Sequence, residues 1–445
     1  MNGEKLMKEE KGIRLSSLIM IAIGMVIGSG VVSLIGPAIA MTGRSAGIAY
    51  AGAVILGLIL ILPGIFIAST IRVKGGEYRM VQALMGTKLS GIFVWNFIVT
   101  QVALSMTSLA MGNYVNAIFP QIPVNAAAFA TVSLFFVINL FGLKAMSRIQ
   151  NILVILLLSA LIVFIVFGLP NLRPGSFTLS SDLYFTGGVS GFISAVVLLS
   201  SSTTSHQLMF GLGGAASNAR KTLPKALVIT SCIIFFIFGL VGFVASNVLP
   251  ASEVAGKTLV VAARAILPGP VYLFFMICGP MLAICSTFNG IFPSVAWTMH
   301  AAAEDGWFPE FTKKLNRFGA PYWFLLLLYL VASIPVLLGF TIVNATNLML
   351  FVIYVNKILI LAGAFRLPAK YPNLWKQSSM HIPNLLYYII IAICSAMQVA
   401  TVIISGLDMG MPTLITALVT MGIFSCCALA RSKHVHLNYT EDDLR

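Results

Sequence analysis

Two short runs of this 445-residue chain carry groups that could do chemistry. The first is Ile27-Gly28-Ser29-Gly30, in the middle of the apolar run 18–40; the second is the hydroxyl series Ser200, Ser201, Ser202, Thr203, Thr204 and Ser205, followed by His206 and Gln207, inside the apolar run 188–212. In hydrocarbon an unpaired backbone N–H or C=O costs several kcal/mol, so irregular backbone survives only where protein or a water-filled cavity surrounds it. A helix broken at 27–30 leaves the first N–H groups of its second half pointing inward with the positive end of the dipole, a seat for a carboxylate. Carbonyls freed from the first half accept from an ammonium. The chemistry on offer is recognition of both ends of an amino acid. Two plainer readings stand beside it: glycine and serine let membrane helices approach closely, and small hydroxyls bond back onto their own helix as a packed seam.

The elements that would position these runs are membrane helices. The chain is 59% hydrophobic and 9% charged, with a mean hydropathy of +0.98, whereas soluble domains carry about 25% charged residues. Apolar runs of spanning length lie near 16–40, 46–71, 90–118, 123–142, 146–170, 188–212, 224–249, 270–299, 321–340, 345–366, 383–405 and 410–430. This predicts an all-α polytopic membrane protein with twelve transmembrane helices, since about 20 residues at ~1.5 Å rise cross the ~30 Å core. No cleavable signal peptide is expected, because the first run is too long and leads into many others.

The net charge of +14 reads as topology once it is placed along the chain. Lys5, Lys8, Lys11 and Arg14 precede the first run, which sets the N-terminus in the cytoplasm. Following the alternation, only Arg44, Arg173, Lys257 and Arg264 of the 27 lysines and arginines fall on the outer side. Both termini are then cytoplasmic, the location is a cell membrane, and nucleic acid is excluded as a partner. Residues 171–187 and 251–269 read as outer excursions, and 431–445 as a solvated tail.

No metal-binding, phosphate-binding or hydrolytic signature is present, and no cofactor is expected. The cysteines sit in apolar runs without zinc spacing. Most of the 13 acidic residues, Glu77 among them, read as tail or loop groups. An acid-based proton relay across the membrane therefore finds no carboxylate, which leaves Lys144 or His206 as proton carriers. An enzyme is not expected.

Five motifs resemble the amino acid–polyamine–organocation superfamily, in particular its amino-acid exchangers. They are IGSGVV in the first run, KGGEY at 74–78, FGLKAMSRIQ at 141–150, SNARKTLPKA at 217–226 and AAAEDGWFPEF at 301–311. The resemblance covers roughly 14–320 and weakens through the tenth run. It implies an inverted-repeat, LeuT-like fold: a first five-helix repeat at 16–170, a second at 188–366, helices eleven and twelve at 383–430, and tails at 1–15 and 431–445. Helices one and six would be broken, with alternating access around a midplane site. By position it implies that Gly28, Ser29 and Gly30 receive the substrate carboxylate. The carbonyls of Val26 and Ile27, with those of Ser201, Ser202 and Thr204, would receive the amino group. Lys144 matches the lysine that in sodium-independent members stands where relatives bind Na⁺, with Ser286 and Thr287 near it; the plainer reading is a lysine that snorkels to the interface.

The chain also departs from the family pattern. It has Ser201 and Gln207 where many members carry an aromatic gate and an acid, Val32 where they often have Phe, and Ile291 at the place of a second aromatic gate. Tyr354 is a candidate outer gate. His206 is a ligand, a gate or a hydrogen-bonded structural residue. With no acid expected near the site, neutral amino acids are favoured over dibasic ones. The expectation is a secondary transporter, sodium-independent and exchanging or facilitative. The alternatives are a proton-coupled symporter of amino acids or amines and, from another class, a channel or an integral-membrane enzyme. A homodimer or an accessory subunit is compatible with all of this.

Overall fold

The computed structural model describes residues 12–179, 182–338, 342–407, 409–435 and 444. Helix accounts for 82% of the described residues. Among the described residues there is no strand, only an isolated bridge between Ile13 and Ala216. The helices run, in order, α1 Leu15–Val26, α2 Ser29–Ser33, α3 Ile35–Thr42, α4 Ala46–Thr70, α5 Gly76–Met85, α6 Thr87–Thr100, α7 Ala103–Ile118, α8 Val124–Leu140, α9 Leu143–Gly168 and α10 Gly188–Thr203. They continue with α11 Ala219–Asn247, α12 Ala251–Val254, α13 Leu259–Ile266, α14 Gly269–Met276, α15 Leu282–Glu304, α16 Tyr322–Leu337, α17 Ile342–Lys370, α18 Pro372–Lys376, α19 Asn384–Leu407 and α20 Met411–Arg431. A 3₁₀ segment, Ser205–Gly214, extends α10.

Among the described residues, nine helical segments are long and apolar enough to cross a membrane, and three further apolar helices, α1, α8 and α16, are shorter. Their outward faces are apolar. Ile152, Ile155, Ile162 and Val166 of α9, and Leu407, Met411, Ile415 and Val419 at the C-terminal end, are exposed. Polar side chains turn inward instead, the reverse of a water-soluble distribution.

Small residues set the closest helix pair. Gly47 on α4 lies against the backbone of Phe243 on α11, and a Cβ built at Gly242 would stand 3.0 Å from the Gly47 Cα. This is the close approach that small residues permit between membrane helices. A different use of glycine precedes α5: Gly75 and Gly76 have φ of 100° and 62°, left-handed values that carry little steric cost only in glycine. They reverse the chain after α4 and turn α5 back under α6, α17 and the 3₁₀ segment. The GGEY motif is thus a turn that brings α5 into the bundle.

Candidate functional site

The first apolar run is interrupted where its sequence suggested. Helix α1 ends at Val26, Gly28 is extended (φ −110°, ψ −156°), and α2 begins at Ser29. Any residue could adopt that Gly28 conformation, so space is what demands glycine. A Cβ at Gly28 would run into the Thr287 hydroxyl, and one at Gly30 would lie 2.5 Å from the Ser202 Cβ. Ser286 and Thr287 on α15 donate hydrogen bonds to the Gly24 carbonyl, at 3.1 and 3.3 Å. They hold the end of α1 where its last carbonyls lack helical partners.

Two details differ from expectation. The Gly28 N–H donates to the Val26 carbonyl at 2.8 Å, so this donor and this acceptor satisfy one another across the break. The N–H groups that lack an intrahelical acceptor belong to the first turn of α2, at Ser29, Gly30 and Val31. The Ser29 hydroxyl lies outside the described residues.

The hydroxyl run behaves both as a seam and as a discontinuity. Ser200, Ser201 and Ser202 donate back to Val197, Leu198 and Leu199 carbonyls at 2.7–2.8 Å. Thr203 bonds to Ser200 and, across the helix pair, to the Ala53 carbonyl of α4 at 3.1 Å. Such back-bonding competes with the α ladder, and at Thr204 the helix tightens into ten residues of 3₁₀. Runs of 3₁₀ beyond three or four residues are uncommon and mark hinges or strain. The interruption is a change of helix type across a single bend residue, Thr204.

Against this junction lies a cavity of about 120 Å³. Helix α10 and its extension contribute Ser201, Thr204, Ser205 and Gln207; α15 contributes Ile291; α17 contributes Tyr354, Asn356 and Lys357; α5 contributes Glu77. Phe93, Phe97, Thr100, Gln101 and Leu104 line it where α6 gives way to α7, and among the described residues none of α1 or α2 is in its wall. Ser202 faces the other way, toward Gly30 and the Tyr50 hydroxyl at 3.2 Å. Neighbouring serines thus serve the cavity and the first interruption separately.

The charged part of the wall was not read from the sequence. Glu77 and Lys357 are 7% and 6% exposed. Glu77 counted there as a loop acid and Lys357 only as a topology charge. The expectation that no acid lies near the site is therefore wrong: the GG turn folds an apparent loop residue inward. The available signal for Lys357 was a lysine in the interior of an apolar run between Asn356 and Ile358.

Lys144 is exposed and lines two wider cavities, of about 720 and 1450 Å³, beside Lys74 and Glu304 in one and Arg14, Arg72 and Arg148 in the other. The α9 side chain that bonds to Ser286 is Gln150, six positions and about 9 Å further along the axis. Its Nε2 donates to the Ser286 carbonyl at 3.2 Å, and its Oε1 accepts from Asn289 at 2.8 Å. Ser286 and Thr287 do meet the first interruption, but through Gln150 and Gly24. His206, for which a hydrogen-bonded structural place was one of the three readings, is fully buried behind the cavity, with Nε2 3.2 Å from the Ser231 hydroxyl of α11. Ile291 and Tyr354, the two other gate candidates, do line the cavity.

Below the cavity, α5 is clamped to the end of α15. Asp305 accepts from Tyr78 at 2.8 Å and from Gln82 at 2.7 Å, and pairs with Arg79 at 3.2 Å, all buried. Lys74 and Gly75, immediately before α5, line the 720 Å³ cavity while Glu77 lines the central one.

A bundle of apolar helices with two interruptions in contact and a largely apolar cavity beside them, with a few polar and charged groups in its wall, defines a membrane carrier for small solutes, and the comparisons agree. The profile of the family described as "Amino acid permease" matches residues 13–424, so the chain belongs to the amino acid permease family, a set of multi-pass membrane transporters and not enzymes. It is similar to the branched-chain amino acid permease BcaP of Bacillus subtilis, 24% identical over 276 residues, or 57% of this chain and 58% of that one. It is also similar to the probable threonine/serine transporter YbxG of the same species, at 26% over 74% of this chain and 72% of that one. The aromatic amino acid transport protein AroP of Escherichia coli is 26% identical over 76% of each.

Proposed function

We propose that this permease carries neutral amino acids by alternating access, without sodium. The observation that carries the reading is the central cavity at the α-to-3₁₀ junction, whose wall holds one carboxylate and one ammonium, Glu77 and Lys357. A charge-balanced wall suits a zwitterion with an uncharged side chain and offers no net attraction to a dibasic one. The relatives named for branched-chain, threonine/serine and aromatic amino acids support the same class.

In this reading, the N–H groups opening α2 take the substrate carboxylate, and the Ile27 carbonyl and the groups at Ser201, Ser202 and Thr204 take the amino group. The first interruption meets the second at the Gly30–Ser202 contact and reaches the cavity through Ser201. The junction of α1, α9 and α15 is filled by a donor, the Gln150 amide, whereas a bound cation needs only acceptors; this supports sodium independence. Counting 15–42 as one interrupted crossing and α4 as the next, the long and shorter apolar helices make twelve crossings. That number suits the inverted 5+5 repeat with two added helices. An even number also suits both termini lying on one side, in this reading the cytoplasmic side that holds most of the lysines and arginines.

The test is counterflow in proteoliposomes. Vesicles preloaded with unlabelled neutral amino acids should take up the labelled compound faster than empty vesicles, saturably, and equally in sodium and choline buffers. Acceleration by arginine or lysine alone, a strict sodium requirement, or flux that never saturates would each reject the proposal.

A further inference from the structure

Glu77 and Lys357 face one cavity from two separate elements, α5 and α17, and the binding reading above gives neither a task beyond balancing charge. They also border a second, smaller cavity together with Gln207 and Gln398, so the pair stands in the partition between two voids. The Lys357 ammonium makes no hydrogen bond to any described residue. The ring of Tyr354 lies 5.6 Å away. A buried ammonium without a direct partner is costly, and it is tolerated in membrane interiors chiefly at functional positions.

The surroundings isolate the pair from other charges. On α17, Tyr354 is the other titratable group in the cavity wall, and Arg366 and Lys370 are exposed. The 3₁₀ segment contributes His206, bonded to Ser231, and α19 contributes Cys394 to the smaller cavity. On α5 itself Tyr78 and Arg79 are engaged with Asp305 from the end of α15. His300 of α15 bonds to the Lys313 carbonyl, and Glu304 of α15 pairs with Lys74. Lys88 of α6 is exposed, and α4 carries no charged residue.

We propose that Glu77 binds and releases one proton per transport cycle, coupling amino-acid movement to a proton gradient, with Lys357 as the charge that makes the state of Glu77 matter. The inference rests on the carrier reading above. With Glu77 ionised, opposite charges on α5 and α17 hold the floor of the cavity closed. A proton arriving from the cavity forms an O–H bond on the Glu77 carboxylate and leaves Lys357 as an uncompensated buried cation. The state that relieves it is one in which α5 withdraws from α17 and water from the wider cavity beside Lys74 reaches the ammonium. There the O–H bond breaks to that water, Glu77 again carries the charge that offsets Lys357 across the cavity, and the floor closes. One proton has crossed with the substrate.

The experiment uses the purified full chain in proteoliposomes, with a labelled amino acid chosen by counterflow. An outside-acid gradient of one pH unit should drive accumulation up to about tenfold for one proton per substrate, collapse with a protonophore, and acidify the lumen, as read by trapped pyranine. In Glu77→Gln the accumulation ratio should fall to about one, each protein being normalised to its own counterflow rate. If that variant does not purify as a single species, Glu77→Gln/Lys357→Met, which leaves no uncompensated charge, should give the same ratio. Wild type that counterflows without any response to the gradient, or a Glu77→Gln protein that still accumulates, overturns the coupling and leaves the carrier reading standing. Wild type without counterflow for any amino acid overturns both.

Discussion

Replacing Gly30 by Ala tests whether the two interruptions abut. The added Cβ would stand 2.5 Å from the Ser202 Cβ and 3.5 Å from its Cα. Carbon atoms in good contact sit about 3.5–4.0 Å apart, so roughly 1 Å must be found. Turning the Ser202 side chain cannot supply it, because the colliding atom is fixed to the α10 backbone. Helix α2 has to slide off α10, at the ~1–3 kcal/mol typical of overpacking a well-filled interior. Gly52→Ala on α4 is the matched control: its Cβ would meet Val196 at an ordinary 3.5 Å, and alanine is the better helix residue by ~0.5–1 kcal/mol. Thermal unfolding of purified protein and counterflow rate should therefore fall together in Gly30→Ala, while Gly52→Ala is as stable as wild type or more so. Ser202→Gly removes the obstructing atom, so Gly30→Ala should cost far less on that background than on the wild type. The comparison is made within the Ser202→Gly background because that change also loses the Tyr50 hydrogen bond. If Gly30→Ala matched Gly52→Ala, or if Ser202→Gly gave no relief, the contact between the interruptions would be wrong.

Three further outcomes follow from the same geometry. Asp305→Asn breaks a buried ion pair and weakens two hydrogen bonds, at ~3–5 kcal/mol; the melting temperature should drop sharply, and Arg79→Met/Asp305→Leu, which leaves no lone charge, should drop less. Gln150→Leu strips the Asn289 amide and the Ser286 carbonyl of a partner, at ~1–3 kcal/mol, and should loosen α9 from α15, read as faster proteolysis or hydrogen exchange there. Lys144→Ala, at an exposed position, should change neither the melting temperature nor the indifference of uptake to sodium; a new sodium requirement would return the coupling role to Lys144.

Much of the site was legible because it rests on local chemistry. Glycines inside an apolar run and six adjacent hydroxyls cannot be ordinary lipid-facing helix, and both places are where the helices change. What misled was side-chain reach and chain reversal. Lys144 and Gln150 belong to one motif, and the family resemblance pointed to the lysine as the special residue; only the phase of α9 against α15 shows that the shorter, uncharged side chain bonds to Ser286. Glu77 follows two glycines, which reads as a loop, yet the left-handed turn they allow tucks the carboxylate into the bundle. His206 did not mislead: a hydrogen-bonded structural histidine was among its readings, and it bonds to Ser231 of α11 while its neighbours Ser205 and Gln207 line the cavity.

Sequence alone determined that this chain lives in a bilayer, roughly where its helices run and which of them are weak in the middle, because hydrophobic length and hydrogen-bonding competition act within one segment. Tertiary structure decided which weak points touch, that Ser202 and Ser201 serve different neighbours, and that one buried acid and one buried base share a cavity wall. Those facts depend on the relative rotation of helices far apart in the chain, and no local pattern of residues encodes that rotation.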